Sequence, residues 1–278
     1  MKSKGLIISL VVLLSIIAVS LVGLLVVMLT RTSIFSFSVE PTKSKLVRQE
    51  EYQIENLHKI KIKAISSDVE IKNSNDNKII VKYYGEKKNE VIFNSDGSVL
   101  SLEEKAKNRF CFGFCNLSKK IVLYVPKDLE IDMDYSTISG DVTFEEEYSN
   151  ANLKLKTTSG DANIMKVKNL EFNTVSGDLD LDYSNNTVIK TTSGDVSVNE
   201  INSYLKLDTT SGDVRINKLS IEKESFINTI SGDVSISNIG DIYVDTKTTS
   251  GDVRVKNSNR KSDYILNVKT VSGDILVH

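Results

Sequence analysis

Residue types that build disulfide frameworks, metal sites and histidine chemistry are scarce in this chain of 278 residues. Cys111 and Cys115 are its only cysteines, and His58 and His278 are its only histidines. Two cysteines form no disulfide framework, and two histidines limit metal sites and catalytic triads. The formal net charge of −2 argues against a general nucleic-acid-binding protein, which needs a basic surface. The composition therefore predicts no cofactor, no metal site and no nucleic-acid partner.

A long uncharged apolar run covers residues 6–29. About 20 apolar residues span a bilayer as a helix. A cleaved signal peptide is the alternative, but its apolar region is normally about 7–15 residues long, and residues 30–35 make a poor cleavage site. We expect a single-pass transmembrane helix over 6–29. Lys2 and Lys4 favour a cytoplasmic location for residues 1–5, with the C-terminal domain outside the cytoplasm.

The stretch between this run and the repeats divides into a linker and a first β section. Residues 30–57 are predicted to be a linker, because the charged run 43–51 has no sustained apolar period; a short helix near 48–57 is an alternative within it. Residues 58–128 alternate apolar and polar positions, which predicts an N-terminal β section. Ser95-Asp96-Gly97 lies between two such runs and predicts a hairpin.

A segment rich in phenylalanine and cysteine interrupts the first β section. Phe110, Phe112 and Phe114 alternate there with Cys111, Gly and Cys115. The two cysteines either close a small disulfide loop or stay free. The phenylalanines either form an exposed contact tip or cover the open end of the core, and we favour the second. A metal site needs more ligands than two cysteines.

The tripeptide Ser-Gly-Asp occurs eight times, with its glycines 17 to 22 residues apart. Self-similarity at such a period predicts an array of stacked repeats. We assign the glycine and aspartate of each copy to a structural corner: Gly140 and Asp141, Gly160 and Asp161, Gly177 and Asp178, Gly194 and Asp195, Gly212 and Asp213, Gly232 and Asp233, Gly251 and Asp252, Gly273 and Asp274.

Numbering each repeat from its glycine gives a template for the fold. Position −3 is always Thr, while −7, −5, +2 and +4 are mostly apolar. Side chains alternate between the faces of a strand, so positions −7, −5, −3 and −1 share the inner face, and the phase shifts by one residue at Gly-Asp. Glycine there fits a positive φ or a close backbone approach. Each repeat is then a strand, a corner whose Ser faces the core, a second strand and a variable loop, as at 145–150 and 257–262.

The template also fits residues 60–71, with Ser67 in the place of glycine. The predicted fold is all-β: a parallel β-solenoid of about eight or nine short rungs, with the Ser-Gly-Asp repeats in 129–278 and one N-terminal transmembrane helix before it. The last strand, 274–278, is then expected at an end of the stack. Exposed edges template pairing, so either another chain pairs there or the edge is tolerated, and we favour the second.

The corner aspartates are the first candidates for chemistry. Asp commonly accepts hydrogen bonds from turn amides, which is the interpretation we favour. Calcium between rungs is the alternative, since oxygen ligands suit that ion. Glycoside hydrolysis uses two carboxylates, but here the acids are the repeat itself, so we predict no enzymatic activity. The outward β-branched residues at position −2 either reflect strand propensity or form a broad, weak protein or glycan contact face.

These repeats resemble the bacterial putative-adhesin family of membrane-anchored β-solenoids, which includes LiaG-like cell-envelope proteins. The resemblance covers roughly residues 55–278 and rests on the lead-in Val125-Pro126-Lys127-Asp128 and on the Thr-(Thr/Val/Ile)-Ser-Gly-Asp-(Val/Leu/Ile) units. It implies a membrane-anchored extracytoplasmic binding or scaffolding module, linked to envelope stress. Its expected partner is an envelope protein or glycan; its oligomeric state stays open. A calcium-dependent surface adhesin and a carbohydrate-active β-helical enzyme are the alternatives.

Overall fold

The computed structural model describes residues 44–87, 90–105 and 119–278. These ranges contain nineteen strands and no α-helix, so the predicted all-β fold is confirmed for them. No helix in the described ranges is long and apolar enough to cross a bilayer. The expected transmembrane helix over 6–29, and the segment with Cys111, Phe112, Phe114 and Cys115, lie outside the described residues.

The strands, numbered in chain order, are β1 (Lys45–Gln53), β2 (Lys59–Lys63), β3 (Asp68–Asn73), β4 (Lys78–Gly85), β5 (Val91–Ser95), β6 (Val99–Glu104), β7 (Lys120–Val125), β8 (Ile131–Ser136), β9 (Val142–Lys156), β10 (Ala162–Asn173), β11 (Leu179–Lys190), β12 (Val196–Asp208), β13 (Val214–Leu219), β14 (Ser225–Asn228), β15 (Val234–Ile239), β16 (Tyr243–Lys247), β17 (Val253–Val255), β18 (Ile265–Lys269) and β19 (Ile275–Val277).

Parallel pairing stacks the repeats in two columns, one before and one after each corner. The first column runs β6, β2, β8, β9, β10, β11, β12, β14, β18, β16. The second runs β7, β3, β9, β10, β11, β12, β13, β15, β19, β17. Strands β9 to β12 belong to both columns because each continues from one corner to the next. The inward side chains of all rungs form one apolar core.

The repeat recovered from residues 60–71 is a rung of this stack, as predicted. Ile60 lies opposite Met133, and Val69 lies opposite Val142, both in parallel register. Ser67 is buried at the position that glycine holds in the other rungs. A side chain is tolerated there because no Ser-Gly-Asp corner lies on its other side.

Antiparallel strands close the N-terminal end of the stack. Strand β4 pairs with β7 and with β1, and β5 pairs with β6 through the predicted hairpin, where Gly97 has a φ of 90°. The structure differs from the expected linker over 30–57: Lys45–Gln53 is strand β1, and no helix forms near 48–57. The physical reason is the unpaired edge that β4 presents, together with Val47 and Tyr52, which pack on the core.

The variable loop predicted after each corner strand is absent from the first rungs. Strands β9 to β12 run without a break for 12 to 15 residues. Irregularities of register, as between Ile164 and Lys166, absorb the differences in repeat length. Inward residues Ile164, Val167 and Leu170 are three apart, so each long strand bends twice around the core. Loops open only after β13, because the later strands are too short to continue around the bend.

The rungs at the C-terminal end do not stack in chain order. The last rung in sequence, β18 with β19, inserts between β14 with β15 and β16 with β17. Ile275 therefore lies between Val234 and Val253. The prediction that 274–278 ends the stack is wrong, because every rung carries the same template and this rung fits equally well between two others. The outermost rung is β16 with β17.

The corner glycines of the stack allow a close backbone approach. A Cβ on Gly177 would overlap the carbonyl oxygen of Gly160 and lie 2.9 Å from its carbonyl carbon. A comparable overlap recurs at the other seven corners. Among these eight glycines, all within the described residues, only Gly251 has a positive φ. Close approach, and not backbone conformation, is therefore the general reason for glycine.

We predict that Gly177→Ala destabilises the protein by about 1–3 kcal/mol, because the added methyl group must push two rungs apart. The free energy of unfolding in urea measures the loss. Ser176→Ala is the matched control, since Ser176 is the exposed neighbour in the same corner, and we expect a change within about 0.5 kcal/mol. Equal stabilities of the two variants would contradict the packing argument.

Candidate functional site

The early Ser-Gly-Asp corners have one hydrogen bond within the corner and another to the preceding rung. In the rung of Gly160, the backbone N–H of Gly160 donates to the Thr157 Oγ1 at 2.8 Å. The N–H of Ser159 donates to the carbonyl of Ile138 in the preceding rung at 3.0 Å. The threonine at −3 is thus a buried acceptor that turns the chain.

The threonine bond is confined to the first four Ser-Gly-Asp corners. It recurs at Thr137, Thr174 and Thr191, with distances of 2.9 to 3.0 Å to the glycine N–H. Among the described residues, the buried hydroxyls of three later threonines have no hydrogen-bond partner: Thr209, Thr229 and Thr270. These later corners therefore lack the threonine–glycine bond, and the N–H of Gly273 donates instead to the carbonyl of Ser250 in the neighbouring rung at 3.0 Å.

The corner aspartates form a continuous ladder of carboxylate–amide bonds. In each rung one carboxylate oxygen, Oδ1, accepts the backbone N–H of the aspartate in the next rung, at 2.8 to 3.1 Å. In stack order the ladder runs Asp68, Asp141, Asp161, Asp178, Asp195, Asp213, Asp233, Asp274, Asp252. We expected turn amides as the donors; the donor is the corner amide of the neighbouring rung.

Three columns of exposed side chains follow the corners along the stack. The first contains the β-branched residues at −2, among them Ile138, Val175, Ile230 and Val271, each 50–55% exposed. The second contains the serines at −1 and the third the aspartates at +1. The prediction that Ser faces the core is wrong, because the chain already turns after Thr, so that −2 and −1 both point outward. We call these three columns the corner surface.

Two shallow grooves lie beside the aspartate column. One, of about 390 Å³, is lined by Asp141, Asp161, Asp178 and Asp195 together with small polar residues such as Thr143. The other, of about 350 Å³, is lined by the last four aspartates of the ladder. This second groove also contains Arg215 and Arg254, and Arg215 forms an ion pair with Asp213 at 2.8 Å. The charge of the surface therefore changes along the stack, from wholly acidic to mixed.

The first aspartate of the ladder lies in a different environment from the rest. Asp68 is half-buried, and burial raises its pKa above the ordinary value. The hydrogen bond from the N–H of Asp141 acts in the opposite direction, and the negative charge of Asp141 adds to the rise. The charged form of Asp68 is thus disfavoured in the folded protein.

Glu104 caps the Ser67 corner, next to the first aspartate of the ladder, whose own N–H donates to the carbonyl of Lys119 at 3.0 Å. Its Oε2 accepts the backbone N–H groups of Ile65, Ser66 and Ser67 at 2.7 to 3.1 Å, and its Oε1 pairs with Lys119 at 2.8 Å. Burial alone would raise the pKa of Glu104, but Lys119 and these N–H groups hold it below the ordinary value. One carboxylate thus satisfies three backbone N–H groups of the Ser67 corner. Sequence reasoning missed Glu104.

A signal for Glu104 was present in the sequence. Leu100 and Leu102 are the inward positions of strand β6, so the alternation puts residue 104 on the same inner face. A carboxylate at an inward position is rarely buried without a partner. The pattern alone names neither the three amides nor Lys119, because these come from other parts of the chain.

The described residues offer little for metal or acid–base chemistry. In them, no group of three or more His, Cys, Asp or Glu side chains is arranged to hold a metal ion. One oxygen of each ladder aspartate except Asp252 already accepts an amide. The arrangement is suited to contact with a repetitive partner, because its exposed groups recur about 4.8 Å apart.

We predict that the stability contributed by Glu104 depends on pH. Its folded-state pKa lies below the unfolded value of about 4.3, so its contribution is present above that pH and is lost as pH falls through the folded-state pKa. Glu104→Gln should lower the free energy of unfolding by about 1–3 kcal/mol near pH 7 and lose less stability than the wild type between about pH 7 and pH 3.5. Urea unfolding at both pH values measures this.

Asp68→Asn is the control for this experiment. The pKa of Asp68 is raised, so its charge opposes folding above that pKa, and the asparagine oxygen can still accept the N–H of Asp141. We expect no loss of stability near pH 7. An unchanged pH dependence in Glu104→Gln would show that Glu104 does not hold the Ser67 corner by its charge.

Comparison with known proteins identifies a family and structures with a similar fold. A family model described as Toastrack DUF4097 matches residues 57–278. A putative adhesin from Parabacteroides merdae ATCC 43184 is 12% identical over 81% of this chain and 95% of its own, with a TM-score of 0.54. A putative lipid binding protein from Parabacteroides distasonis ATCC 8503 is 17% identical over 82% of this chain and 96% of its own, with a TM-score of 0.53. No curated protein matches. At such identities the two structures establish the fold alone.

Proposed function

The chain belongs to the Toastrack DUF4097 family, and from this premise we propose that it is a non-enzymatic binding or scaffolding module anchored at the cell envelope. The resemblance to the putative-adhesin family is confirmed at the level of the family. Its LiaG-like subdivision, and with it the link to envelope stress, stays a prediction. The two similar structures carry the names of an adhesin and of a lipid binding protein, and both names describe binding.

The observation that carries the proposal is the corner surface. Recurring polar atoms of the repeat are used inside the stack: Thr binds Gly in the first four Ser-Gly-Asp corners, and Asp binds the next rung. What remains outside is a regular surface of β-branched, hydroxyl and carboxylate groups at the spacing of the rungs. Weak contacts that recur along such a surface add up when the partner is itself extended, as a glycan chain or an elongated envelope protein is.

The membrane anchor in the proposal is the apolar run 6–29. Its length suits a bilayer-spanning helix, and Lys2 and Lys4 favour a cytoplasmic N-terminus. The anchor would hold the corner surface close to envelope polymers. This arrangement supports a scaffolding role, since a tethered module meets its partner at a high effective concentration.

We predict that protease added to intact cells or protoplasts removes the β-domain and leaves a short membrane-bound fragment. The reason is that residues 44–278 would face the outside, while 1–5 stay in the cytoplasm. Immunoblots against an epitope at the C-terminus follow the cleavage, and a cytoplasmic marker protein controls for lysis. A domain that is digested only after lysis would refute the orientation.

We also predict that the full chain in detergent is retained on purified bacterial cell walls and that Val175→Glu weakens this retention several-fold. Val175 lies in the exposed column at −2, where a new carboxylate would disturb contact. Met165→Glu is the matched control, because Met165 is also an exposed apolar residue but lies away from the corner. Co-sedimentation measures the bound fraction.

The same experiment separates the alternative of a calcium-dependent adhesin. That alternative requires loss of retention on chelation with EDTA and recovery with calcium, whereas the proposal expects no change. Equal retention of Val175→Glu and Met165→Glu would show that the corner surface is not the surface that binds cell walls. Failure of the wild type to bind cell walls or solubilised envelope proteins would refute the binding function.

A further inference from the structure

The two ends of the stack are built differently. At the N-terminal end, β4 and β5 pair antiparallel with the rung strands β7 and β6, β1 pairs antiparallel with β4, and Glu104 accepts three backbone N–H groups of the Ser67 corner. At the other end the outermost rung is β16 with β17, and each of these strands has one parallel neighbour. Among the described residues nothing equivalent to Glu104 covers the corner of this rung.

The aspartate ladder stops at this open end with an unfilled acceptor. Asp252 donates its N–H to Asp274 at 2.8 Å. Within the described part of the chain, no N–H group follows on the other side of the Asp252 carboxylate. In every earlier rung, the corresponding carboxylate oxygen accepts the amide of the next corner.

Apolar side chains that are buried in the other rungs are uncovered here. Val253 is 41% exposed, whereas Ile275 and Val234, its equivalents in the two preceding rungs, are each 1% exposed. The beginning of β16 is protected, because the N–H of Val244 donates to Ser258 Oγ of the following loop at 2.9 Å. The uncovered edge therefore comprises residues 246–255, which contain the corner and β17.

The stack already accepts a rung that does not follow in sequence. Strands β18 and β19 pair with β14 and β15 after a detour through the rung β16–β17 and its loop. Rung addition thus depends on the complementary edge, and direct chain connection to the neighbouring rung is not needed. Strand β19 is held on β15 by the backbone hydrogen bonds of a parallel pair. The outer edge of β17 could form the same kind of bonds with a further strand.

We propose that residues 246–255 form a docking edge for an extended segment of another polypeptide that carries a Ser-Gly-Asp corner. The segment runs parallel to β17 and donates a backbone N–H to Asp252. It has glycine at the corner, because a Cβ at every existing corner would overlap the carbonyl of the adjacent rung. An aliphatic residue two positions later covers Val253. This edge is distinct from the corner surface of the proposed function.

A synthetic peptide tests the proposal directly. A fluorescent peptide with the sequence of residues 266–277 supplies a complete corner, and the same peptide with alanine in place of its glycine is the control. Fluorescence anisotropy with the full chain in detergent should show saturable binding of the first peptide and at least about ten-fold weaker binding of the second. Equal binding of both peptides, or of neither, overturns the proposal.

Two protein variants locate the site. Val253→Lys should abolish peptide binding, because a charge then lies where an aliphatic contact is needed. Met165→Lys, which changes an exposed apolar residue outside both the edge and the corner surface, should leave binding unchanged. Equal binding by the two variants would place the peptide elsewhere, for example by exchange with β18 and β19, and would overturn the assignment. Concentration-dependent dimerisation of the wild type that Val253→Lys removes would support the proposal, with a second copy as the polypeptide that supplies the corner.

Discussion

The close approach of one corner to the next is the constraint on which the stack depends. Because the rungs approach so closely, the carboxylate of one aspartate reaches the backbone N–H of the next, and no Cβ fits at the glycine between them. A column of carboxylates would otherwise repel, at roughly 1 kcal/mol per neighbouring pair in water. Each carboxylate instead gains a charge-assisted hydrogen bond. Gly and Asp are thus required by the same contact.

The repeat template predicted what depends on local alternation. It located the core positions and the hidden rung of β2 and β3. It misplaced the corner serines, because alternation was extended through a turn that begins at Thr. Sequence position predicts on which face of a strand a side chain lies only where the strand is straight.

The repeat template could not predict features that depend on residues distant in the sequence. Glu104 is defined by three amides nearly 40 residues before it in the chain and by Lys119 after it. The order of the last rungs escaped prediction for another reason. Ile275 fits beside Val234 and beside Val253 in the same register, so a pattern shared by every rung cannot rank one order above another. The repetition thus allows the fold to be predicted from the sequence, but it does not specify the order in which the last rungs stack.

Because β18 and β19 insert between strands that precede them in the chain, the rungs are not stacked in the order in which they are synthesised. A ribosome releases the chain from its N-terminus, and most rungs can settle on the preceding one as they emerge. The rung β16–β17 cannot, because the strands that join it to the stack are made after it. It must wait until residues 265–277 have appeared, and both rungs then close together. The end of the stack is therefore completed only after residues 265–277 have been synthesised.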